Sequence, residues 1–433
     1  MDIRPVKPSE RNLGGFDYLL LWAGVAVSLA EIWAGGFLAP MGLWMGVAAI
    51  LIGHVIGNTL MGLGGIIGSD HGIMSMVSLR PSFGLRGSRI AAVLNIIQLV
   101  GWASIMLIIG GRAGATLGQV AGGILATTQF WIILLGLGTL LWALYTGKTI
   151  WKIMQTVSLI ALLLVIAAMT WVSVSGFEWN AVRPDADAMP FMTGLDLVIA
   201  MPVSWMPLVA DYSRMSRNRS SAFWSTWWGY FIVSSWMYII GLIAALMTGS
   251  TDPGFMILQS MGKIGLAVPA LIMIVLSTVT SDFPDIYSTT CSVMNISDKI
   301  KPNAVMWGSG LMSIVVALAT PIDQYENFLL LIGAMFVPLF GIVLTDYFVI
   351  RKRRIDVDQL YVAGGKYWYT SGFNIAALAA WGIGFAVFEV MAHLKYSIGG
   401  TIPSIMVSGA LYQVLTFLSA HAVNKSAKKE VQI

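Results

Sequence analysis

The 433-residue sequence contains little charge, since Asp, Glu, Lys and Arg together make up 11% of its residues. Soluble domains carry about a quarter charged residues, so this chain cannot cover a water-facing surface. It has a single cysteine, Cys291, and four scattered histidines, which exclude an internal disulfide and indicate no metal cluster. Residues 1–18 are too polar for a cleavable signal peptide, and no stretch resembles a soluble domain.

Apolar residues dominate instead, at 57% of the chain, with a mean hydropathy of +0.79. Apolar runs of roughly 20 residues recur, the length that crosses a hydrocarbon core of ~30 Å. The sequence therefore predicts an all-α, polytopic membrane protein, with residues 1–433 forming a single membrane domain. The twelve predicted transmembrane helices cover about 17–40, 43–68, 88–112, 129–147, 152–175, 191–212, 222–249, 264–289, 303–320, 325–350, 370–392 and 401–421.

The basic residues predict the orientation of these spans. With a cytoplasmic N-terminus, all but four of the 25 Lys and Arg residues lie on the cytoplasmic side. The exceptions are Arg112, Arg183, Lys263 and Lys395. This bias predicts an even number of spans and cytoplasmic termini. As a separate expectation, we place the protein in a bacterial inner membrane. It also explains the pI of about 9.0 without a nucleic-acid partner.

Two predicted spans contain helix-breaking features. The first has "SLAEIWAGG" from Ser28 to Gly36, and the sixth has Pro202 and Pro207 within "AMPVSWMPLVADYSR". Each proline frees a backbone carbonyl, and a simple packing kink is the alternative explanation. Because broken helices in corresponding positions of two halves are typical of secondary transporters, we expect a first repeat at about 17–175 and an inverted one at about 191–350. Residues 370–421 add two helices.

The eighth span carries a cluster of oxygen atoms in "VLSTVTSDFPDIYS". Ser277, Thr280 and Ser281 share one helical face, and Pro284 frees the carbonyl of Thr280. Such oxygens suit a small hard cation. Hydroxyls that bond back to their own helix are the alternative.

Acids within spans are the strongest indications of a functional site. Glu31, Asp282 and Asp285 lie in apolar segments, where a carboxylate costs at least a few kcal/mol and needs a partner. A structural pairing of Glu31 is the alternative. In the third span, Gln98 and Trp102 lie one turn apart, and Trp102 offers either a stacking surface for a ring or a lipid-facing side chain.

Several motifs in order resemble those of the nucleobase:cation symporter-1 family over nearly the whole chain. They are "IWAGG", "RPSFGLRGS", "QLVGW", "ADYSR", "TSD…Y…NI" and "DYFVIRKRR". Within the family, the sequence is most similar to hydroxymethylpyrimidine transporters of the CytX type and next to bacterial cytosine permeases. The resemblance implies a LeuT-like fold with a five-plus-five inverted repeat.

The resemblance also implies two sites. The coupling cation would bind the carbonyls of Gly24 and Ser28, with Val27 as a further candidate, and the oxygens of Ser277, Thr280 and Ser281. A flat heterocycle would stack on Trp102 between spans one, three, six and eight. The implied substrate site consists of Glu31, Gln98, Trp102, Met201, Pro202, Trp205 and Asp282.

The substrate site departs from the cytosine permeases at several positions. Leu99 replaces their glutamine, with Gln98 adjacent, and Pro202 replaces an aromatic residue, with Trp205 nearby. Asp282 stands in place of an asparagine and Glu31 in place of a serine. These changes argue against cytosine as the substrate.

The sequence therefore predicts a sodium-coupled importer of a small aminopyrimidine, such as the thiamine precursor hydroxymethylpyrimidine. Glu31 would accept hydrogen bonds from the ring, and the following glycines would let the chain unwind before a half-helix that begins near Ile32. The alternative is a permease for cytosine or another nucleobase, coupled to protons. The sequence contains no motif that resembles a channel selectivity filter, and its scattered histidines argue against a membrane enzyme. It indicates neither a cofactor nor an obligate protein partner.

Overall fold

The computed structural model describes residues 4–119, 121–145, 148–177, 189–281, 283–297, 299–321, 324–394 and 398–430. This part of the chain folds into helices and contains no β-strand. Its β-type pairing is limited to two isolated bridges, between Leu13 and Ser216 and between Thr370 and Phe373. The all-α class predicted from the apolar runs is confirmed.

The helices of the first part of the chain are α1 (Gly15–Ala26), α2 (Leu29–Gly36), α3 (Leu43–His71), α4 (Ser75–Ser78), α5 (Arg80–Phe83), α6 (Gly87–Gly118), α7 (Thr128–Tyr145) and α8 (Lys148–Gly176). Those of the second part are α9 (Phe191–Ser204), α10 (Met206–Ser213), α11 (Arg219–Thr248), α12 (Pro253–Gly262), α13 (Ala267–Ser281), α14 (Phe283–Ile296), α15 (Pro302–Ala319), α16 (Tyr325–Leu344), α17 (Ile375–His393) and α18 (Thr401–Glu430). A short π-helical turn at Thr345–Ile350 continues α16.

Each predicted span contains at least one of these helices. Within the described residues, eight spans are long and apolar enough to cross a membrane, and the bent pair of α1 and α2 would make a ninth. The apolar described parts of α7 and α8 are shorter. Large apolar side chains such as Trp44 and Trp171 point outward, as expected of lipid-facing residues. The exact number of twelve crossings stays a prediction.

The first span is broken just before Glu31. α1 ends at Ala26, and α2 begins at Leu29 at an angle of 56°. Ser28 is extended, and its Oγ accepts a hydrogen bond from the backbone N–H of Ala30 at 3.2 Å, which caps α2. The expectation that the half-helix begins near Ile32 is wrong. Glu31 lies in the first turn of α2, where the helix dipole favours an acid.

α11 lies along both halves of the broken span, and glycines permit the close approach. A Cβ atom at Gly229 would lie 2.5 Å from a backbone oxygen of α1, and one at Gly241 would lie 1.8 Å from a backbone oxygen of α2. On the α2 side, a Cβ atom at Gly35 would lie 2.1 Å from a backbone oxygen of α11. The expectation that the paired glycines unwind the chain is therefore wrong, because Gly35 and Gly36 are helical.

The sixth span is interrupted by one residue. α9 ends at Ser204 and α10 begins at Met206, with Trp205 between them. Pro202 lies in the last turn of α9 and Pro207 in the first turn of α10, as their sequence positions predicted. The eighth predicted span contains α13 and the first part of α14, and Asp282 lies outside the described residues.

Candidate functional site

Glu31 belongs to a buried polar network that joins α2, α3 and α11. Its Oε1 accepts a hydrogen bond from the Tyr230 hydroxyl, and its Oε2 accepts one from the Ser234 hydroxyl at 2.6 Å. The Oγ of Ser234 lies 2.6 Å from Nε2 of His54, whose Nδ1 lies 2.8 Å from the Ile50 carbonyl oxygen. The intramembrane acid thus has the partners that its burial requires, and both of its oxygens are bonded to α11.

Gln98 on α6 reaches the interruption in the sixth span. Its Nε2 donates to the Ser204 carbonyl oxygen at 2.7 Å and to Oδ1 of Asn95 at 3.1 Å. The side-chain amide of Asn95 donates in turn to Oγ of Ser292 on α14 at 2.8 Å. Gln98 Oε1 is buried and accepts no hydrogen bond from any residue that the structure describes. The third, sixth and eighth spans therefore meet beside one free acceptor.

Trp102 lies one helical turn further along α6 and packs against α16. Its ring contacts Tyr325 and Phe328 in edge-to-face geometry, at centroid distances of 5.8 and 5.6 Å. The Tyr325 hydroxyl donates to the Ala30 carbonyl oxygen at 3.2 Å, and the Tyr325 ring lies 4.4 Å from that of Trp33. Tyr325 therefore connects Trp102 to the half-helix that follows the break in the first span.

The predicted site residues of the sixth span occupy different environments. Met201 and Pro202 are buried, and Pro202 packs against α3 at Gly57, where a Cβ atom would lie 2.3 Å from the proline ring. Trp205 is partly exposed, and its ring lies 6.0 Å from that of Trp22 on α1. Trp205 thus connects the two broken spans, and Tyr212 on α10 makes a second ring contact with Trp22 at a centroid distance of 5.9 Å.

The predicted cation site is described only in part. The break after α1 leaves carbonyls of its last turn without the donors of a continuing helix, although the Gly24 carbonyl accepts the N–H of Val27 at 3.3 Å. Ser28 lies at the break itself. The side chains of Ser277, Thr280 and Ser281, and the whole of Asp282, lie outside the described residues.

Three residues that bond to α2 were not predicted from the sequence: Tyr230 and Ser234, which donate to Glu31, and Tyr325, which donates to Ala30. Tyr230 and Ser234 are about 200 positions from Glu31, and Tyr325 is further still. A hydroxyl in an apolar helix carries no distinctive sequence pattern, because serine and tyrosine are common there as packing residues. Only the need of a buried acid for partners indicates that such residues exist.

Several motifs that resemble those of the family contact one another in one cluster. Asp346 accepts hydrogen bonds from Arg351 Nε at 2.7 Å and Ser82 Oγ at 3.0 Å. Arg80 donates to Oδ1 of Asn295 at 2.7 Å. Burial lowers the pKa of Arg80 to about 10, so this guanidinium is still charged at neutral pH. These motif residues bind one another, and we refer to Arg80, Ser82, Asn295, Asp346 and Arg351 as the loop cluster.

The family model described as "Permease for cytosine/purines, uracil, thiamine, allantoin" matches residues 5–415. A hydantoin permease of Microbacterium maritypicum is 26% identical over 424 residues, which cover 91% of this chain and 85% of the relative. The cytosine permease of Escherichia coli (strain K12) is 24% identical over 362 residues, which cover 81% of each chain.

Solved structures of Mhp1 show the same fold. The inward-facing form superposes with a TM-score of 0.84 at 21% identity, covering 98% of this chain and 93% of that one. The closed form with bromovinylhydantoin bound, described as a nucleobase-cation-symport-1 family transporter, gives a TM-score of 0.80. The LeuT-like architecture is therefore confirmed. With its apolar helices and its family match, the chain is a multi-pass membrane transporter rather than an enzyme, and it belongs to the nucleobase:cation symporter-1 family of permeases.

Proposed function

We propose that the protein imports a small aminopyrimidine, 4-amino-5-hydroxymethyl-2-methylpyrimidine or a close thiamine precursor, by sodium symport. The observation that carries this proposal is the free, buried Oε1 of Gln98, one turn from Trp102 and next to the interruption in the sixth span. An exocyclic amine is a natural donor to this oxygen. The family description, which includes cytosine and thiamine, is consistent with such a ring.

The rest of the ring has suitable contacts nearby. Stacking on Trp102 would contribute about 1 kcal/mol, the scale of a good aromatic pair. Leu99 on the third span and Met201 on the sixth span are buried apolar residues, and we propose that they contact the methyl group of the ring.

Glu31 and Asp282 are proposed as further acceptors for the ring. In this structure each oxygen of Glu31 accepts one hydrogen bond from α11, and each carboxylate oxygen has a second lone pair for a ligand donor. Cytosine would place its carbonyl against an acid and leave two acceptors unpaired, which costs about 1–3 kcal/mol. The methylated pyrimidine has no such carbonyl, and its hydroxymethyl group is a donor.

The test is competition binding to the purified protein in detergent. We expect the hydroxymethylpyrimidine to bind more tightly than cytosine, and Trp102→Ala to weaken its binding about fivefold, as loss of roughly 1 kcal/mol requires. Trp171→Ala, on the exposed face of α8, is the matched control and should leave binding unchanged. If cytosine competes equally well, the substrate assignment fails and the alternative, a cytosine or other nucleobase permease coupled to protons, takes its place.

The proposed sodium ion would bind between the break in the first span and the eighth span. Its ligands would be the carbonyls of Gly24 and Ser28 and the oxygens of Ser277, Thr280 and Ser281. We also propose that both termini face the cytoplasm of a bacterial cell, because the Lys and Arg residues concentrate in the loops on that side.

A further inference from the structure

A continuous chain of hydrogen bonds connects Glu31 with the backbone of α3. It runs from Oε2 of Glu31 to Oγ of Ser234 at 2.6 Å, on to Nε2 of His54 at 2.6 Å, and from Nδ1 of His54 to the Ile50 carbonyl oxygen at 2.8 Å. Glu31 is 2% exposed, and Ser234 and His54 are fully buried. Bulk solvent therefore does not reach these contacts, and the hydrogens in them come from the three side chains themselves.

These contacts determine how many hydrogens the chain holds. A carbonyl oxygen only accepts, so Nδ1 of His54 carries a hydrogen. Ser234 has one hydroxyl hydrogen, but its oxygen makes two contacts of 2.6 Å. Because each contact of this length needs a hydrogen between its two heavy atoms, a second hydrogen comes from His54 or from Glu31.

Two arrangements without net charge satisfy every contact. In one, a neutral Glu31 carboxyl donates to Ser234, which donates to Nε2 of a neutral His54. In the other, a His54 imidazolium donates to Ser234, which donates to the Glu31 carboxylate. Both arrangements contain one ionisable proton and have no net charge. Without that proton the site carries a negative charge, and two lone pairs face each other across one contact.

We propose that Glu31, Ser234 and His54 form a binding site for a single proton, which passes between Glu31 and His54 through the Ser234 hydroxyl. The proposal concerns an additional ligand, the proton, and only its link to transport rests on the proposed function. Nothing in the motifs that resemble the family assigns His54 or Ser234 a role.

The surroundings of the site are aromatic and contain no fixed cation in the described part of the chain. The titratable groups that face it are Tyr230 and Tyr238 from α11 and Tyr325 from α16. Tyr238 also packs edge-to-face on the His54 ring at a centroid distance of 5.0 Å. Since no neighbouring Lys or Arg compensates a lost proton there, one proton keeps the site neutral.

The first test is ¹⁵N NMR of histidine-labelled protein in lipid nanodiscs, from about pH 5 to about pH 9, where imidazole normally titrates. Of the four histidines, His54 is identified by the signal lost in His54→Asn. In the wild type we expect a protonated Nδ1 and an Nε2 signal between those of bare and protonated nitrogen. In Glu31→Gln we expect an ordinary bare Nε2 at every pH, because the amide donates to Ser234 and no ionisable proton remains.

Two serine variants provide the matched comparison. In Ser234→Ala, the His54 signals should no longer respond to Glu31→Gln, because the bridge is lost. Ser235→Ala should preserve the response, since the buried Ser235 hydroxyl bonds to no described residue. Identical His54 signals in the wild type and in Glu31→Gln, or an unprotonated Nδ1, would overturn the proposal.

The second test measures exchange of labelled 4-amino-5-hydroxymethyl-2-methylpyrimidine across proteoliposomes with equal pH on both sides. We expect exchange to fall at alkaline pH as the proton leaves, and Ser234→Ala to move the midpoint by at least about one pH unit, a tenfold change in proton affinity. Ser235→Ala should keep the wild-type midpoint. An unmoved midpoint in Ser234→Ala would overturn the link between this proton and transport. Absence of exchange in the wild type would overturn the proposed substrate, while the NMR test still decides the proton site.

Discussion

At the scale of single residues, the shape of the first span depends on glycines of a different helix. Gly241 brings α11 against the backbone of α2, and Gly229 brings it against the backbone of α1. At both positions the nearest atoms belong to the main chain, which cannot move away as a side chain can.

Gly241→Ala should therefore destabilise the protein strongly. The added Cβ atom would lie 1.8 Å from the Ile32 carbonyl oxygen, and overpacking of this kind costs about 1–3 kcal/mol or more. Thermal unfolding in detergent measures the effect. Gly308→Ala on α15 is the control, because a Cβ atom there meets open space and a helical alanine gains about 0.5–1 kcal/mol. Equal unfolding temperatures for the two variants would contradict the close approach of α2 and α11.

At the level of single residues, the sequence predicted burial correctly where one side chain differed in polarity from its surroundings. Glu31 in an apolar run had to be buried with partners, and it is. Its partners could not be predicted, because they depend on which distant helices pack together. The prediction for Gly35 and Gly36 was wrong because a glycine can either let a helix unwind or let a second helix pack closely. Which of the two applies depends on the neighbouring helix, which the local sequence does not identify.

At the scale of elements, the break in the first span was predicted, but the residue at which the second half-helix begins was not. The polar stretch located the interruption within a few residues, but the capping hydroxyl of Ser28 sets the start of α2. In the sixth span, Pro202 and Pro207 located the interruption more closely, at Trp205, since each proline restricts its own turn.

Ser28→Ala separates the cap from the proposed sodium site. Loss of the Oγ bond to Ala30 N–H should cost about 1 kcal/mol of stability, whereas Ser28→Thr keeps the hydroxyl and should cost less. Because only the backbone carbonyl of Ser28 is a proposed sodium ligand, sodium should raise pyrimidine affinity by the same factor in all three proteins. Thermal unfolding and binding titrations with and without sodium measure the two effects. A sodium effect that disappears in Ser28→Ala would contradict the carbonyl assignment.

At the scale of the whole molecule, hydropathy and the motif order were sufficient to predict the helical architecture, and the LeuT-like fold is confirmed. The role of the loop cluster was not predictable, because the motifs that form it are up to about 270 positions apart in the chain. Periodicity identifies helices one at a time, whereas these contacts depend on how the helices assemble.

Asp346→Asn tests how far the loop cluster stabilises the assembly. The Asp346 side chain is 2% exposed, and removing one partner of a buried ion pair costs about 3 kcal/mol or more. The comparison variant is Asp252→Asn, whose ion pair with Arg112 is much more exposed and should contribute no more than about 1 kcal/mol. Asparagine also preserves the cap that residue 252 provides to α12. Thermal unfolding in detergent should show a large loss only for Asp346→Asn, and equal losses would contradict a stabilising role for the cluster.

The packing of α11 against both α1 and α2, on either side of the bend at Val27 and Ser28, lowers the entropy that ligand binding has to cost. Fixing a flexible backbone residue costs roughly 1–2 kcal/mol. Here folding has already fixed the bend, so a ligand that docks beside it does not have to order that backbone. A ring that makes only a few contacts can then still bind, because little of the free energy of those contacts is offset by the cost of ordering the backbone of the site.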